Sequence, residues 1–308
     1  MRIIFMGTPE FAVPCLKSLI DEGYDICAVF TQPDKPKGRG YALTPPPIKT
    51  LAVKNHIPVF QPVTLRTQEA AQEIKALNPD LIVVVAYGKL LPKEILDIPP
   101  FGCINVHGSL LPKYRGAAPI QWSVINGEKI TGVTTMYMAE GLDTGDMLLT
   151  GQVEIGADET SGELHDRLSL LGAEVLVKTL RQIANGTAKR IPQAESDTGY
   201  ASMLTKEMSR IDWNKPADTI HNLVRGLSPW PVASTTFKGK FLKIHKTRAA
   251  EGFSGKIGQA VDSNGKFIVC CGENTCIELL EVQYEGGKKM LGKDFLRGHP
   301  IGKEDILE

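Results

Sequence analysis

Leu81-Ile82-Val83-Val84-Val85-Ala86 is apolar at every position and rich in β-branched residues. A half-exposed strand alternates apolar with polar residues, so an unbroken run of this length suits a central strand of a parallel sheet covered on both faces. Outward from it, β-type runs at 2–6, 26–30, 103–106 and 132–138 alternate with helical spacing at 67–77 and 161–183. This alternation predicts an α/β, Rossmann-like, mostly parallel sheet domain. The long helix carries signals at both ends, a capping box at Thr160-x-x-Glu163 and a C-cap at Asn185-Gly186. It closes a first domain expected over residues 1–189.

The pattern then lapses. Pro192, Gln193, Asp197 and Gly199 stand among scattered polar residues, which reads as an extended linker over 190–208. From 209 to 308 the texture changes again: one short helical stretch near 217–225, the stiff Pro229-Trp230-Pro231, then short β-type runs at 234–237, 241–245, 257–261, 267–271 and 276–282. Lys238-Gly239, Asn264-Gly265 and Gly286-Gly287 punctuate them as turns. A small β-barrel of oligonucleotide-binding (OB) type is the expected closure.

Composition excludes some classes. The 308 residues are 42% hydrophobic, enough for two cores, and 35 basic residues balance 35 acidic ones. A polyanionic partner must therefore be met by a local patch. Cys15, Cys27, Cys103, Cys270, Cys271 and Cys276 show no C-x-x-C spacing and no matching histidine cluster, so they read as buried reduced thiols, with no metal site expected. The opening residues are too short for a signal peptide and no apolar run reaches membrane-spanning length; a cytoplasmic protein without membrane contact is expected.

Chemistry concentrates near the middle of the chain. In Gly102-Cys103-Ile104-Asn105-Val106-His107 a strand sends Asn105 and His107 to the same face, and Gly108, Ser109 and Pro112 break it at once. An isolated Asn-x-His usually satisfies local polar groups. Here the pair stands at the carboxyl end of a strand in an open α/β sheet, where ligands bind. Asp143 lies in Gly141-Leu142-Asp143-Thr144-Gly145; such an Asp either stabilises a turn or orients an imidazole or a water for proton transfer.

Gly7-Thr8-Pro9-Glu10-Phe11-Ala12 sits where a dinucleotide fold places its glycine loop, yet G-x-G-x-x-G is absent, so a nicotinamide cofactor is disfavoured. Gln32-Pro33-Asp34-Lys35-Pro36-Lys37-Gly38-Arg39-Gly40-Tyr41 reads as a long loop at a strand end. It is either a solvated charge run or an arm presenting Lys35, Lys37 and Arg39 to phosphates.

Asn105-Val106-His107-Gly108-Ser109-Leu110-Leu111-Pro112, Tyr114-Arg115-Gly116 and Gly141-Leu142-Asp143-Thr144-Gly145-Asp146 resemble the signature of folate-dependent formyltransferases. The resemblance covers nearly the whole chain. Phe30-Thr31-Gln32-Pro33-Asp34, Val85-Ala86-Tyr87-Gly88, Arg210-Ile211-Asp212-Trp213 and Pro229-Trp230-Pro231 resemble the members that act on tRNA more than the shorter ones. It implies transfer of a formyl group from 10-formyltetrahydrofolate, the cosubstrate, to the α-amino group of methionyl initiator tRNA; nothing in the sequence itself calls for an obligate protein partner. It further implies catalytic Asn105, His107 and Asp143, and folate contact at Ser109, Leu110, Leu111 and Pro112, with Tyr87 and Gly88 as another part of that pocket.

The chemistry can be argued separately. An incoming amine is itself the nucleophile, and no G-x-S-x-G elbow or activated cysteine is present, so direct attack is the simpler scheme. The Asn105 amide suits the oxyanion that forms, while His107 either donates to that oxygen or takes the amine proton.

In the second domain Lys238, Lys240, Lys243, Lys246 and Arg248 cluster around one hairpin. They read as a guarded sheet edge or as tRNA contacts, with Lys243 and Lys246 as the chosen contacts. Alternatives remain at this stage: formyl transfer to a small amine such as glycinamide ribonucleotide or an amino sugar nucleotide, hydrolysis of formyl-folate, or a non-catalytic nucleic-acid-binding protein.

Overall fold

The computed structural model describes residues 1–37, 42–302 and 304–308. In chain order the elements are β1 (Arg2–Gly7), α1 (Val13–Asp21), β2 (Asp25–Phe30), β3 (Lys35–Lys37), β4 (Ala42–Thr44), α2 (Pro47–Lys54), β5 (Val59–Phe60), α3 (Gln68–Ala76), β6 (Leu81–Val85), α4 (Lys93–Leu96), β7 (Cys103–His107), α5 (Pro119–Ile125), β8 (Ile130–Tyr137), β9 (Met147–Glu154) and α6 (Ser161–Ala184). After them come α7 (Ala217–Gly226), β10 (Ala233–Phe237), β11 (Lys240–Ala250), β12 (Ala260–Ser263), β13 (Lys266–Cys270), β14 (Cys276–Tyr284), β15 (Lys289–Leu291) and α8 (Gly292–Gly298).

Two compact units form. The first comprises Met1–Gly116, Thr131–Val153 and His165–Tyr200; the second comprises Ala117–Ile130, Glu154–Leu164 and Ala201–Glu308.

In the first unit seven strands lie in the order β5-β2-β1-β6-β7-β8-β9. The pairs β2–β5, β1–β2, β1–β6 and β6–β7 are parallel, and β7–β8 is antiparallel. Every residue of β6 is buried, as its composition requires. It ends one residue earlier than the apolar run, because Ala86 turns into the left-handed region at φ +47°. Gly7 ends β1 where a Cβ would stand 2.8 Å from Phe5 and 3.0 Å from the Val85 carbonyl, so the close passage of β1 over β6 needs glycine.

The second unit is built on β10-β11-β14-β13-β12, with β15 on β14. Its hairpins use the turns expected: Lys238-Gly239 and Asn264-Gly265 both have positive φ at the two central residues. Residues 305–308 then join the two edges. Thr236 N–H donates to the Glu308 carbonyl at 2.8 Å and Glu308 N–H returns a bond at 3.0 Å, while Leu307 N–H reaches Gly258 at 2.8 Å and Ala260 N–H reaches Asp305 at 2.9 Å. The sheet thereby closes into a small barrel.

Phe295 of α8 plugs the barrel, stacked on Phe267 at 5.5 Å and edge-on to Phe237 and Tyr284. It is fully buried. Phe295→Ala should therefore cost about 3–5 kcal/mol in chemical denaturation. A loss under about 1 kcal/mol would mean that the barrel packs without it.

The capping box is formed as read: Thr160 N–H and its hydroxyl both donate to Glu163 at 2.8 Å, and Glu163 N–H donates to the Thr160 hydroxyl at 3.2 Å. These bonds, the backbone one first, hold the Glu163 carboxyl below the usual range. Among the described residues no helix is long and apolar enough to cross a membrane.

Candidate active site

Asn105 and His107 lie on the last turn of the pleat of β7, two residues apart and so on one face. In the antiparallel register Asn105 stands opposite Met136 and His107 opposite Thr134. Directly paired residues share a face, so Asn105 lies on the side that carries Met136. Thr134 is fully buried and fastens the loop beyond β7: its hydroxyl donates to the Ser109 carbonyl at 2.8 Å and accepts from Leu111 N–H at 3.1 Å.

His107 is 5% exposed, and its Nε2 lies 3.0 Å from the Tyr114 carbonyl. A carbonyl only accepts, so Nε2 carries the hydrogen and Nδ1 is the nitrogen left for chemistry. Nδ1 faces Asp143 Oδ2 at 3.7 Å. The same carboxylate oxygen accepts from Gly116 N–H at 2.9 Å. Asp143 itself has a left-handed backbone at φ +53°, and Gly145 behind it is obligatory, since a Cβ there would stand 1.8 Å from the Tyr137 carbonyl. The two glycines that flank Asp143 in sequence thus permit a tight loop against β8.

Beside Asp143 opens a cleft of about 300 Å³, lined by Arg66, by residues 90–93, by Met136 and Met138, and by residues 139–143. Leu90, Leu91 and the two methionines are invisible as site residues from sequence alone, because apolar side chains next to strands read as core. The one available signal was that 88–92 follows the central strand at its carboxyl end.

The other residues singled out from sequence fall in several places. Ser109 and Leu111 are buried at the end of β7, and Ser109 donates to the Lys113 carbonyl at 2.6 Å. Leu110 packs near Gly132, and residues 109–112 do not line the cleft beside Asp143. Tyr87 is 1% exposed in the core, its hydroxyl buried without a hydrogen-bond partner among the described residues and pushed up to about 12 by burial. Its carbonyl accepts from the Thr8 hydroxyl at 3.0 Å and from the Gln32 amide at 3.1 Å, and the Gly88 carbonyl accepts from Gln32 at 3.3 Å.

Lys35 and Lys37 lie in a two-stranded ribbon, β3 with β4, where an open loop was expected; Lys35 pairs with Thr44 and Lys37 with Ala42. The prolines around it disfavour internal strands but not a short isolated ribbon. Arg39 lies outside the described residues. Lys35 lines a second cleft with Thr8, Pro9, Gln32 and Pro33, at the carboxyl ends of β1 and β2. Burial first, then the charge of Lys35, lowers the pKa of Lys89.

Lys243 and Lys246 are exposed on β11, opposite Gln283 and Glu281, with a bulge between them. Of the other cations in that cluster, Lys238 pairs with Asp305 at 2.9 Å and Arg248 with Glu278 at 2.6 Å.

All six cysteines are free and buried. Burial pushes the Cys15, Cys103 and Cys271 thiols up to about 12, so even Cys103, on the same face as Asn105, is held as a thiol. Among the described residues no group of three or more His, Cys, Asp or Glu side chains is placed to hold a metal ion.

Comparison with known proteins identifies the family. A model of the formyl transferase family matches residues 1–180, and a model of the formyl transferase C-terminal domain matches residues 203–300. The methionyl-tRNA formyltransferase of Alkaliphilus oremlandii is 53% identical over 308 residues, covering 100% of this chain and 99% of that protein. That of Acetivibrio thermocellus is 51% identical over 311 residues, again covering 100% and 99%. Among solved structures, an N-formyltransferase from Helicobacter canadensis in complex with folinic acid and dTDP-3-aminofucose shares the fold, with a TM-score of 0.70, 20% identity, and coverage of 94% of this chain and 100% of that one. By domain content and full-length likeness, the chain belongs to the formyl transferase family and, within it, to the methionyl-tRNA formyltransferases.

Proposed function

We propose that this protein transfers a formyl group from 10-formyltetrahydrofolate to the α-amino group of methionine esterified to initiator tRNA, in the cytoplasm. The observation that carries this reading is the meeting of His107 Nδ1 and Asp143 Oδ2 at 3.7 Å, with Asp143 on the wall of a cleft of about 300 Å³. Its support is the full-length likeness to relatives that bear the name of this reaction.

The residues fit a folate cosubstrate. A pterin is flat, apolar on its faces and rich in hydrogen-bonding groups at its edge; Leu90, Leu91, Met136 and Met138 supply the faces and the backbone of 139–142 the edge partners. Folate contact at Ser109 to Pro112, Tyr87 and Gly88 belongs to the same proposal, through residues at the ends of β7 and β6 that lie outside the lining of that cleft. Asn105 then donates its side-chain amide to the formyl oxygen as negative charge develops there. Nδ1 of His107 takes the proton of the attacking amine, on the side where the Asp143 carboxylate stabilises the imidazolium, and gives it up to N10 of tetrahydrofolate as the formyl C–N10 bond breaks. No enzyme nucleophile is required, because the amine is one.

Lys35, Lys37 and Arg39 meet tRNA phosphates in the first unit, and Lys243 and Lys246 are separate tRNA contacts on the barrel. Changing Lys35, Lys37 and Arg39 together to Gln should weaken binding of charged tRNA and reduce the slope of log Kd against log salt by about 2–3. An unchanged slope would return the ribbon to ordinary surface.

The function is tested by following consumption of 10-formyltetrahydrofolate with charged initiator tRNA, uncharged tRNA, glycinamide ribonucleotide, an amino sugar nucleotide or water alone. Only charged initiator tRNA should consume the donor at a catalytic rate. Turnover with a small amine or with water and not with the charged tRNA would overturn the assignment.

A further inference from the structure

Residues 190–198 run as a strap along the segment that follows β7 at Tyr114 and Arg115 and along the loop that carries Asp143. Ile191 and Met147 exchange two backbone bonds at 2.8 and 2.9 Å, Arg190 pairs with Asp146 at 2.9 Å, and the Thr198 hydroxyl accepts from Tyr114 N–H at 2.8 Å. At its centre the Gln193 carboxamide is engaged at both ends. Its Nε2 donates to the Asp143 carbonyl at 2.9 Å and the Gly145 carbonyl at 2.7 Å, and its Oε1 accepts from Arg115 Nε at 2.9 Å. Arg115 Nη2 reaches the Ala194 carbonyl at 3.1 Å.

Arg115 stands between two residues of the site. The Tyr114 carbonyl receives Nε2–H of His107, and Gly116 N–H holds the Asp143 carboxylate. One carboxamide therefore ties the loop that orients the imidazole to the loop that carries the carboxylate. Asp143 also needs such a tie, since a left-handed backbone at a residue other than glycine persists only where its surroundings hold it.

We propose that Gln193 is a positioning residue for formyl transfer: it clamps the 143–145 loop to Arg115 and so keeps the Asp143 carboxylate facing His107 Nδ1. The inference rests on the function proposed above. Two variants separate its bonds. Gln193→Ala removes all of them, whereas Gln193→Glu keeps an acceptor for Arg115 and loses both donors to the loop carbonyls.

The test is transfer from saturating 10-formyltetrahydrofolate to charged initiator tRNA by the full-length protein, with thermal melts confirming that each variant is folded. Both variants should lose about tenfold to a hundredfold in kcat, with KM for charged tRNA within about twofold of the parent. In an Asp143→Asn background, Gln193→Ala should add less than about twofold, because it acts through that carboxylate. A full multiplicative loss in that background, or a Gln193→Glu variant as fast as the parent, would overturn the proposal.

A crystal structure of Gln193→Glu decides the point without activity. The Asp143 loop should be displaced from His107; a loop left in place, with Nδ1 and Oδ2 still at 3.7 Å, would refute the clamp. A parent that fails to formylate charged tRNA would instead sink the assigned function, and the loop position would still judge Gln193.

Discussion

Asn105→Ala should slow formyl transfer to charged initiator tRNA by about a hundredfold to a thousandfold under single-turnover conditions, the usual loss when one oxyanion donor is removed from a pre-organised site. Asn105 is half-buried at the middle of β7, and its backbone pairing with β6 and β8 does not depend on its side chain. The fold should therefore survive and KM for the tRNA should change little, because the lost interaction belongs to the transition state. A variant within about fivefold of the parent would remove Asn105 from the reaction.

Asp143→Asn should cost about a hundredfold to ten-thousandfold in kcat, the range for groups that assist proton transfer. The substitution leaves an oxygen able to accept from Gly116 N–H, so the loop keeps its anchor and only the charge is lost. Geometry makes the effect large. Because Nε2–H of His107 is committed to the Tyr114 carbonyl, every proton the imidazole exchanges passes through Nδ1, the atom that Asp143 faces. Were turnover to persist within about threefold, Asp143 would be a turn residue, and its glycine flanks would need no catalytic explanation.

Much of this site is legible in the amino-acid sequence because it obeys local rules. The unbroken apolar run of β6 announces a strand covered on both faces, strand parity places Asn105 and His107 together, and glycines around Asp143 announce a tight loop. What local rules do not carry is pairing at long range. Gln193 lies 50 residues from the Asp143 carbonyl it holds, in a stretch whose scattered polar residues look like connector. The walls of the cleft at Leu90, Leu91, Met136 and Met138 have the same side chains as any core. Pro119–Ile125, only seven residues and with no side-chain cap, forms α5 through packing on α7, where a Cβ on Gly226 would stand 2.4 Å from Ile125. Closure of the barrel by residues 305–308 is likewise a matter of partners, since no four-residue pattern announces an edge strand.

The central claim is that an amine takes the formyl carbon directly at Asn105, His107 and Asp143, with no covalent stop on the protein. Rapid-quench mixing of the enzyme, 10-formyltetrahydrofolate labelled in its formyl carbon, and charged initiator tRNA tests it most directly. The label should leave the donor and reach the methionyl amide at one shared rate, with none on precipitated protein at any time. Labelled protein that forms before the amide and decays as the amide appears would contradict the account.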